Sequence, residues 1–177
     1  MKKKGNHVII NILGDRMKKF IKDLIPYVVI LVVVVLIRTF IVTPVRVNGT
    51  SMVPTLDGGE IMILNKLGHI DRYDIVVLDI EEEQEELIKR IIGLPGETVE
   101  IKNNEVYIND ELLGEEYGYG VTYNIDKITL KDDEYFVLGD NRIVSKDSRV
   151  FGAVKKENIK GTTKFVVYPF KKFGTVK

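Results

Sequence analysis

The chain has 177 residues with 26 Lys or Arg against 26 Asp or Glu, so its overall charge gives no reason to expect a nucleic-acid partner. It has no Cys and only His7 and His69, which excludes disulfides, thiolate nucleophiles and Cys-ligated metal sites and leaves little room for histidine chemistry. No HExxH, P-loop or GxGxxG pattern is present, which removes the commonest metalloprotease, NTPase and dinucleotide-binding readings.

The charge is unevenly spread. Residues 1–23 hold seven Lys or Arg and two Asp or Glu, net +5, whereas residues 51–177 hold 17 against 24, net −7. Between them an uncharged stretch runs from Leu24 to Ile37 and continues apolar past Arg38 to Val42, with Val28–Ile37 made only of Val, Ile and Leu. A helix over 24–42 is roughly 28 Å long, close to the hydrocarbon thickness, so it reads as a single transmembrane helix. No small-x-small cleavage site follows it, which favours a retained anchor over a removed leader. Arg38 lies near the end of the span, where its side chain can snorkel to the headgroups. Because the basic cluster precedes the span, the expected topology is a cytoplasmic tail over 1–23 and an extracytoplasmic domain over 43–177.

From Val45 onward the pattern is short and strand-like, with Gly or Asx punctuation and no useful 3.6-residue period. Strands are expected at 45–48, 60–65, 74–80, 86–92, 98–102, 105–109, 134–138 and 163–168. Val99 and Ile101 alternate with Glu100 and Lys102, and Val106 and Ile108 alternate after Asn103-Asn104, as in a hairpin with a tight turn. The acidic run Glu81–Glu86 reads as a solvated hairpin tip. The fold class is therefore an all-β domain on one N-terminal transmembrane α-helix.

Three segments combine polar residues with turn glycines where the β pattern breaks. They are Asn48-Gly49-Thr50-Ser51-Met52-Val53-Pro54-Thr55-Leu56, then Leu87-Ile88-Lys89-Arg90-Ile91-Ile92-Gly93-Leu94-Pro95-Gly96, then Gly139-Asp140-Asn141-Arg142 followed by Ser145, Asp147, Ser148 and Arg149. Taken singly, each has an ordinary reading. A serine in a loop is usually structural, and a lysine in an alternating strand usually faces solvent.

Together and in this order, the three segments resemble type I signal peptidases, membrane-anchored serine proteases that remove leader peptides from exported proteins. The resemblance covers essentially the whole chain in its compact form, and it implies the β fold that this family shares with the LexA-type self-cleaving repressors. It places the nucleophilic serine on Ser51 and the general-base lysine on Lys89, 38 positions on, which makes a Ser-Lys dyad. Ser145 matches the serine that hydrogen-bonds that lysine, and Asp147 with Arg149 matches an ion pair that shapes the site. Arg90, Gly139, Asp140, Asn141 and Arg142 match scaffold positions. The Ser51 amide is expected to serve the oxyanion, and Gly49 stands where some members carry a second, hydroxyl donor. Val144 stands where the family usually has Asn. Val47, Met52, Leu87 and Ile88 are expected to line shallow pockets that take small side chains at alternate positions of an extended substrate, as in Ala-x-Ala cleavage sites.

The resemblance implies no cofactor and no metal; the expected partners are signal peptides of exported preproteins and the lipid bilayer, with no nucleic acid. A base of this kind needs an amine with its pKa brought down from about 10.4, and Leu87, Ile88, Ile91 and Ile92 supply the apolar surroundings that do so. Two rivals stand beside this reading. One is a LexA-type self-cleaving protease, which would lack the span; the other is a membrane-tethered β-domain that binds extended peptides without hydrolysing them.

Overall fold

The computed structural model describes residues 3–81, 83 and 85–176, with side chains from Arg16 onward. The chain divides into two compact units, one ending at Ile41 and the other running from Val42 to Lys177.

The first unit is one helix, α1 (Lys3–Phe40), which continues through Pro26. Its stretch Arg16–Phe40 is long and apolar enough to cross a membrane, and every side chain in it is exposed. Its uncharged part, 24–37, is apolar on all sides with every side chain exposed, which suits an apolar surrounding. The helix starts well before residue 24 and stops at Phe40, two residues short of the span read from the sequence. It stops there because Thr43 precedes Pro44 and is thereby held in the extended region, and Pro44 itself cannot donate to a helical ladder.

Among the described residues the second unit holds twelve strands. They are β1 (Val42–Arg46), β2 (Ile61–Asn65), β3 (Ile75–Leu78), β4 (Leu87–Gly93), β5 (Thr98–Lys102), β6 (Glu105–Ile108), β7 (Glu111–Leu112), β8 (Ile125–Thr129), β9 (Glu134–Leu138), β10 (Val154–Lys155), β11 (Ile159–Tyr168) and β12 (Gly174–Thr175). A single helical turn, α2 (Ser148–Phe151), follows β9. The larger sheet runs in the order β1-β2-β11-β3-β4-β9-β10, with β12 beside β11, and the smaller in the order β7-β6-β5-β8. All strand pairs are antiparallel.

All eight strands read from the pattern have a counterpart. The Asn103-Asn104 turn forms with both residues at positive φ, +52° and +69°, and Asn109-Asp110 repeats the geometry between β6 and β7. Positive φ at both central residues matches the twist of the flanking strands, and Asn and Asp tolerate it better than other side chains. The first strand begins at Val42 rather than 45, and as an edge strand it accommodates Pro44. Of the acidic run expected as a solvated hairpin tip, Glu82 and Gln84 lie outside the described residues, and Glu83, between β3 and β4, has a side chain only 17% exposed.

Three apolar clusters fill the domain. One joins Val45, Val47, Met52, Leu56, Ile75, Val77 and Ile88; another joins Val76, Leu78, Ile80, Ile91, Tyr135 and Val154; the third lies between β4, β9 and the smaller sheet. Strand β4 therefore has core on both faces, and Ile88 through Gly93 are all buried. That burial decides where Lys89 goes.

Candidate active site

Register on β4 sorts its side chains. Ile88 belongs to the first cluster, and Leu87 and Ile91 pack against the second, so Lys89 leaves the sheet on the face shared with Leu87 and Ile91. It is 2% exposed. A lysine amine in that position must find a polar partner, since an unpaired buried ammonium is prohibitively unstable. Its Nζ lies 2.8 Å from Ser51 Oγ and donates to the Ile88 carbonyl at 3.0 Å. Burial lowers the Lys89 pKa from the usual 10.5 to about 8, opposed in part by the charges of Asp147, Glu83 and Asp140.

Ser51 sits on the turn between β1 and β2, and this turn is fastened from below. The Asn141 amide donates to the Ser51 carbonyl at 3.0 Å, and the Asn141 side chain donates to the Thr50 carbonyl at 3.3 Å. Next along the chain, Thr55 donates to Asp140 Oδ2 at 2.5 Å. Asp140 in turn receives Arg90 Nε at 2.8 Å and Nη2 at 2.7 Å, a two-pronged pair with side chains 1% and 0% exposed. Arg90 also donates to the Tyr73 carbonyl at 2.8 Å and lies 3.7 Å from the centre of the Tyr117 ring. Arg142 donates from Nε to the Gly139 carbonyl at 3.0 Å and pairs with Glu115. The five positions matched to scaffold thus form one support beneath the serine turn.

Asp147 is fully buried and caps α2 by accepting the Arg149 amide. Its two oxygens receive Arg149 Nε and Nη2, each at 2.8 Å, and Oδ2 also receives the Gly139 amide at 3.0 Å. Arg149 continues to the Ser145 carbonyl at 3.3 Å and the Thr122 hydroxyl at 3.2 Å. Ser145 is 8% exposed, and its Oγ has no hydrogen-bond partner among the described residues, so the expected bond to Lys89 is not formed here. The space around Gly139 is tight: a Cβ built on it would stand 2.2 Å from Ser145 Oγ and 2.6 Å from the Ser51 carbonyl oxygen. The Ser145 hydroxyl and the Ser51 carbonyl oxygen therefore both lie close to Gly139.

Val47, Met52 and Ile88 come together in one cluster, 2%, 1% and 6% exposed. Leu87 does not join them, because its neighbour Ile88 has taken that face. Val144 is 57% exposed, so the residue at that position makes little contact with the core. His69 is exposed and paired at 3.5 Å with Asp71, in a hollow lined by residues such as Asn65, Thr162 and Phe165 that includes none of the predicted site residues.

The strand pairing leaves two open edges near Ser51. Strand β1 ends the larger sheet, and β9 pairs with β4 only from Arg90 onward, so among the described residues Leu87–Lys89 have no strand on that side. The edges approach each other, since Asn48 Nδ2 donates to Glu85 Oε2 at 3.1 Å. Sequence reading did not single out Thr55 or the Glu83–Lys146 ion pair. Thr55 had a signal, its place four residues after Ser51; the ion pair had none, because its partners are 63 positions apart.

The model of the family described as signal peptidase, peptidase S26, matches residues 17–168. Signal peptidase I S of Bacillus subtilis (strain 168) is 42% identical, the match covering 81% of this chain and 86% of that one. A signal peptidase I of Bacillus amyloliquefaciens is 40% identical over 85% of this chain and 89% of its own. A signal peptidase I of Streptococcus pneumoniae serotype 4 is 35% identical, covering 89% and 98%. A buried lysine on a serine hydroxyl, set in an antiparallel β domain and matched at this level from before the end of the helix to the last long strand, leaves one conclusion: the chain belongs to the signal peptidase family, peptidase S26, and is a serine peptidase.

Proposed function

We propose that this chain cleaves signal peptides from exported preproteins with a Ser51–Lys89 dyad, after small residues in Ala-x-Ala sites. The observation that carries the reading is the 2.8 Å contact between Ser51 Oγ and the amine of a lysine that is 2% exposed. The same distance serves both protonation states: the ammonium donates to Oγ, and the neutral amine accepts the hydroxyl proton. In the neutral state Lys89 takes that proton as Ser51 Oγ attacks the scissile carbonyl. The ammonium so formed gives its proton to the departing amine, leaving an acyl-enzyme. Lys89, neutral again, then removes a proton from water as its oxygen attacks the acyl carbonyl, and returns that proton to Ser51 Oγ as the ester bond breaks, which frees the new carboxyl group and restores the enzyme.

Ser145, Asp147 and Arg149 hold the segment beside the amine, and the Ser51 amide faces the oxyanion. The two open edges, β1 with its continuation to Asn48 and the Leu87–Lys89 flank of β4, suit an extended peptide paired on both sides. Val47, Met52 and Ile88 form the floor under its alternate side chains, with Leu87 on the other face. Little depth remains above residues so tightly packed, and this favours alanine.

The basic residues that precede the apolar part of α1 support a cytoplasmic N-terminus, a span within α1 and a catalytic domain on the outer face of the cell membrane. Full-length chain in detergent, incubated with a signal-bearing preprotein, is expected to yield one new N-terminus after an Ala-x-Ala sequence, located by mass. Ser51→Ala and Lys89→Arg are each expected to lose nearly all turnover while remaining folded, because arginine keeps the charge but cannot readily deprotonate. Folded Lys89→Arg with more than a few per cent of wild-type turnover rejects Lys89 as the base. Leucine at the residue before the cut is expected to slow cleavage by roughly tenfold or more, and equal rates reject the pocket assignment.

A further inference from the structure

Three carboxylates act on the Lys89 amine, and each has a cation of its own. Asp147 is held by Arg149 and Asp140 by Arg90, all four side chains at most 3% exposed. Both partners are guanidinium groups, which keep their charge at any working pH. Glu83 is held by Lys146, and this pair differs in kind: the lysine side chain is 57% exposed and the glutamate 17%. It is the one of the three that water and salt reach.

Its position gives it leverage. Glu83 lies in the β3–β4 connection, its amide bonded to the Ile80 carbonyl at 2.9 Å. Lys146 stands between Ser145 and Asp147. One ion pair therefore ties the hairpin that carries Lys89 to the segment that carries Ser145, beside a groove of about 620 Å³ lined in part by Ile80, Glu83, Lys146 and Phe151. No other ion pair joins these two segments among the described residues. The carboxylate works on Lys89 in the direction opposite to burial, favouring the ammonium.

We propose that Glu83 is a positioning residue for the reaction: clamped by Lys146, it holds the β3–β4 connection on the Ser145–Asp147 segment and sets the charge balance beside Lys89, and so the pH at which the enzyme becomes active. The proposal rests on Lys89 being the general base. The two partners have opposite signs of effect. Without the carboxylate, the ammonium loses a stabilising neighbour and gives up its proton at lower pH. Without Lys146, the Glu83 charge acts uncompensated and the amine holds its proton to higher pH.

The test is the pH dependence of kcat/KM for preprotein cleavage by full-length enzyme in detergent, with Lys89→Arg as the control. Glu83→Gln is expected to move the rising limb to lower pH by roughly half a unit, and Lys146→Gln to move it upward. The exchanged pair, Glu83→Lys with Lys146→Glu, keeps the clamp and puts a cation nearer the amine, so its limb is expected to lie lower still. Limbs that move in the same direction, or an active exchanged pair whose limb stays at the wild-type pH, overturn the proposal. An active, folded Lys89→Arg enzyme overturns the underlying reading instead, whatever Glu83 does.

Discussion

A methyl group at Gly139 would stand 2.2 Å from the Ser145 hydroxyl oxygen, and no rearrangement of Ser145 alone would make room, because the Ser51 carbonyl oxygen is 2.6 Å away on the same side. The serine turn itself would have to lift. Gly139→Ala is therefore expected to cost about 1–3 kcal/mol of stability as overpacking and to lower turnover more than tenfold. Thermal unfolding and a cleavage assay on the same preparation check this; a variant with unchanged turnover means the turn has slack.

With Lys89 at about 8, the neutral amine is the minor form at pH 7, roughly one molecule in ten. Turnover is expected to climb with pH through about 8 and then level off. A pH–rate profile already flat from pH 6 upward would mean that no group of this kind limits the chemistry.

The same lysine makes a prediction about stability with a definite sign. Its folded-state value of about 8 lies below the ordinary 10.5, so the unfolded chain holds the proton more tightly. The cost of burying the ammonium is complete below pH 8 and fades as pH rises from there toward 10.5. Lys89→Met removes the cost, of order 3 kcal/mol, and should be inactive but more resistant to denaturant at pH 7. Its advantage over wild type is expected to narrow between pH 8 and 9.5; an advantage constant with pH would trace to packing rather than charge.

Asp147 and Arg149 are both buried, and removing one leaves the other charge without a partner. Asp147→Asn or Arg149→Met alone is expected to cost about 3–5 kcal/mol, and the double variant Asp147→Asn/Arg149→Met to cost less than the sum. Chemical denaturation of the four proteins measures the coupling. A sum that is simply additive would show that the pair does not interact energetically.

Gly49 has φ of +74° with nothing within 4 Å of its missing Cβ, so the limit there is backbone conformation and not space. Gly49→Ser is expected to lose about 1–2 kcal/mol of stability and to remain folded. Loss of folding would mean that the turn tolerates no strain at all.

Most of the strand framework was legible because period-2 alternation and the Asn103-Asn104 turn are local signals. The strands β7, β8, β10 and β12 were not: three of them have only two residues, which carry no period, and β8, Ile125–Thr129, sets its two Ile residues three positions apart and so shows no alternation. Lys89 shows the limit clearly. An isolated cation in an apolar run reads equally as a solvent-facing residue of an alternating strand, and only the cores on both faces of β4 bury it. Within the candidate site, the serine, the lysine and the Asp147–Arg149 pair were readable from motif order. The unpaired Ser145 hydroxyl, the turn of Leu87 away from Val47, Met52 and Ile88, and the Glu83–Lys146 link depend on register and long-range approach, which no window of sequence contains.

The open flanks of β1 and of Leu87–Lys89 carry a consequence for what can be cut. Under the edge pairing proposed above, the substrate backbone must be exposed, so a helical leader offers nothing to grip until its last residues before the scissile bond unwind. Helix-breaking residues upstream of that bond would then govern processing speed as strongly as the side chains at the cut, and a leader stiffened by alanines and leucines through that stretch would stay attached to its cargo.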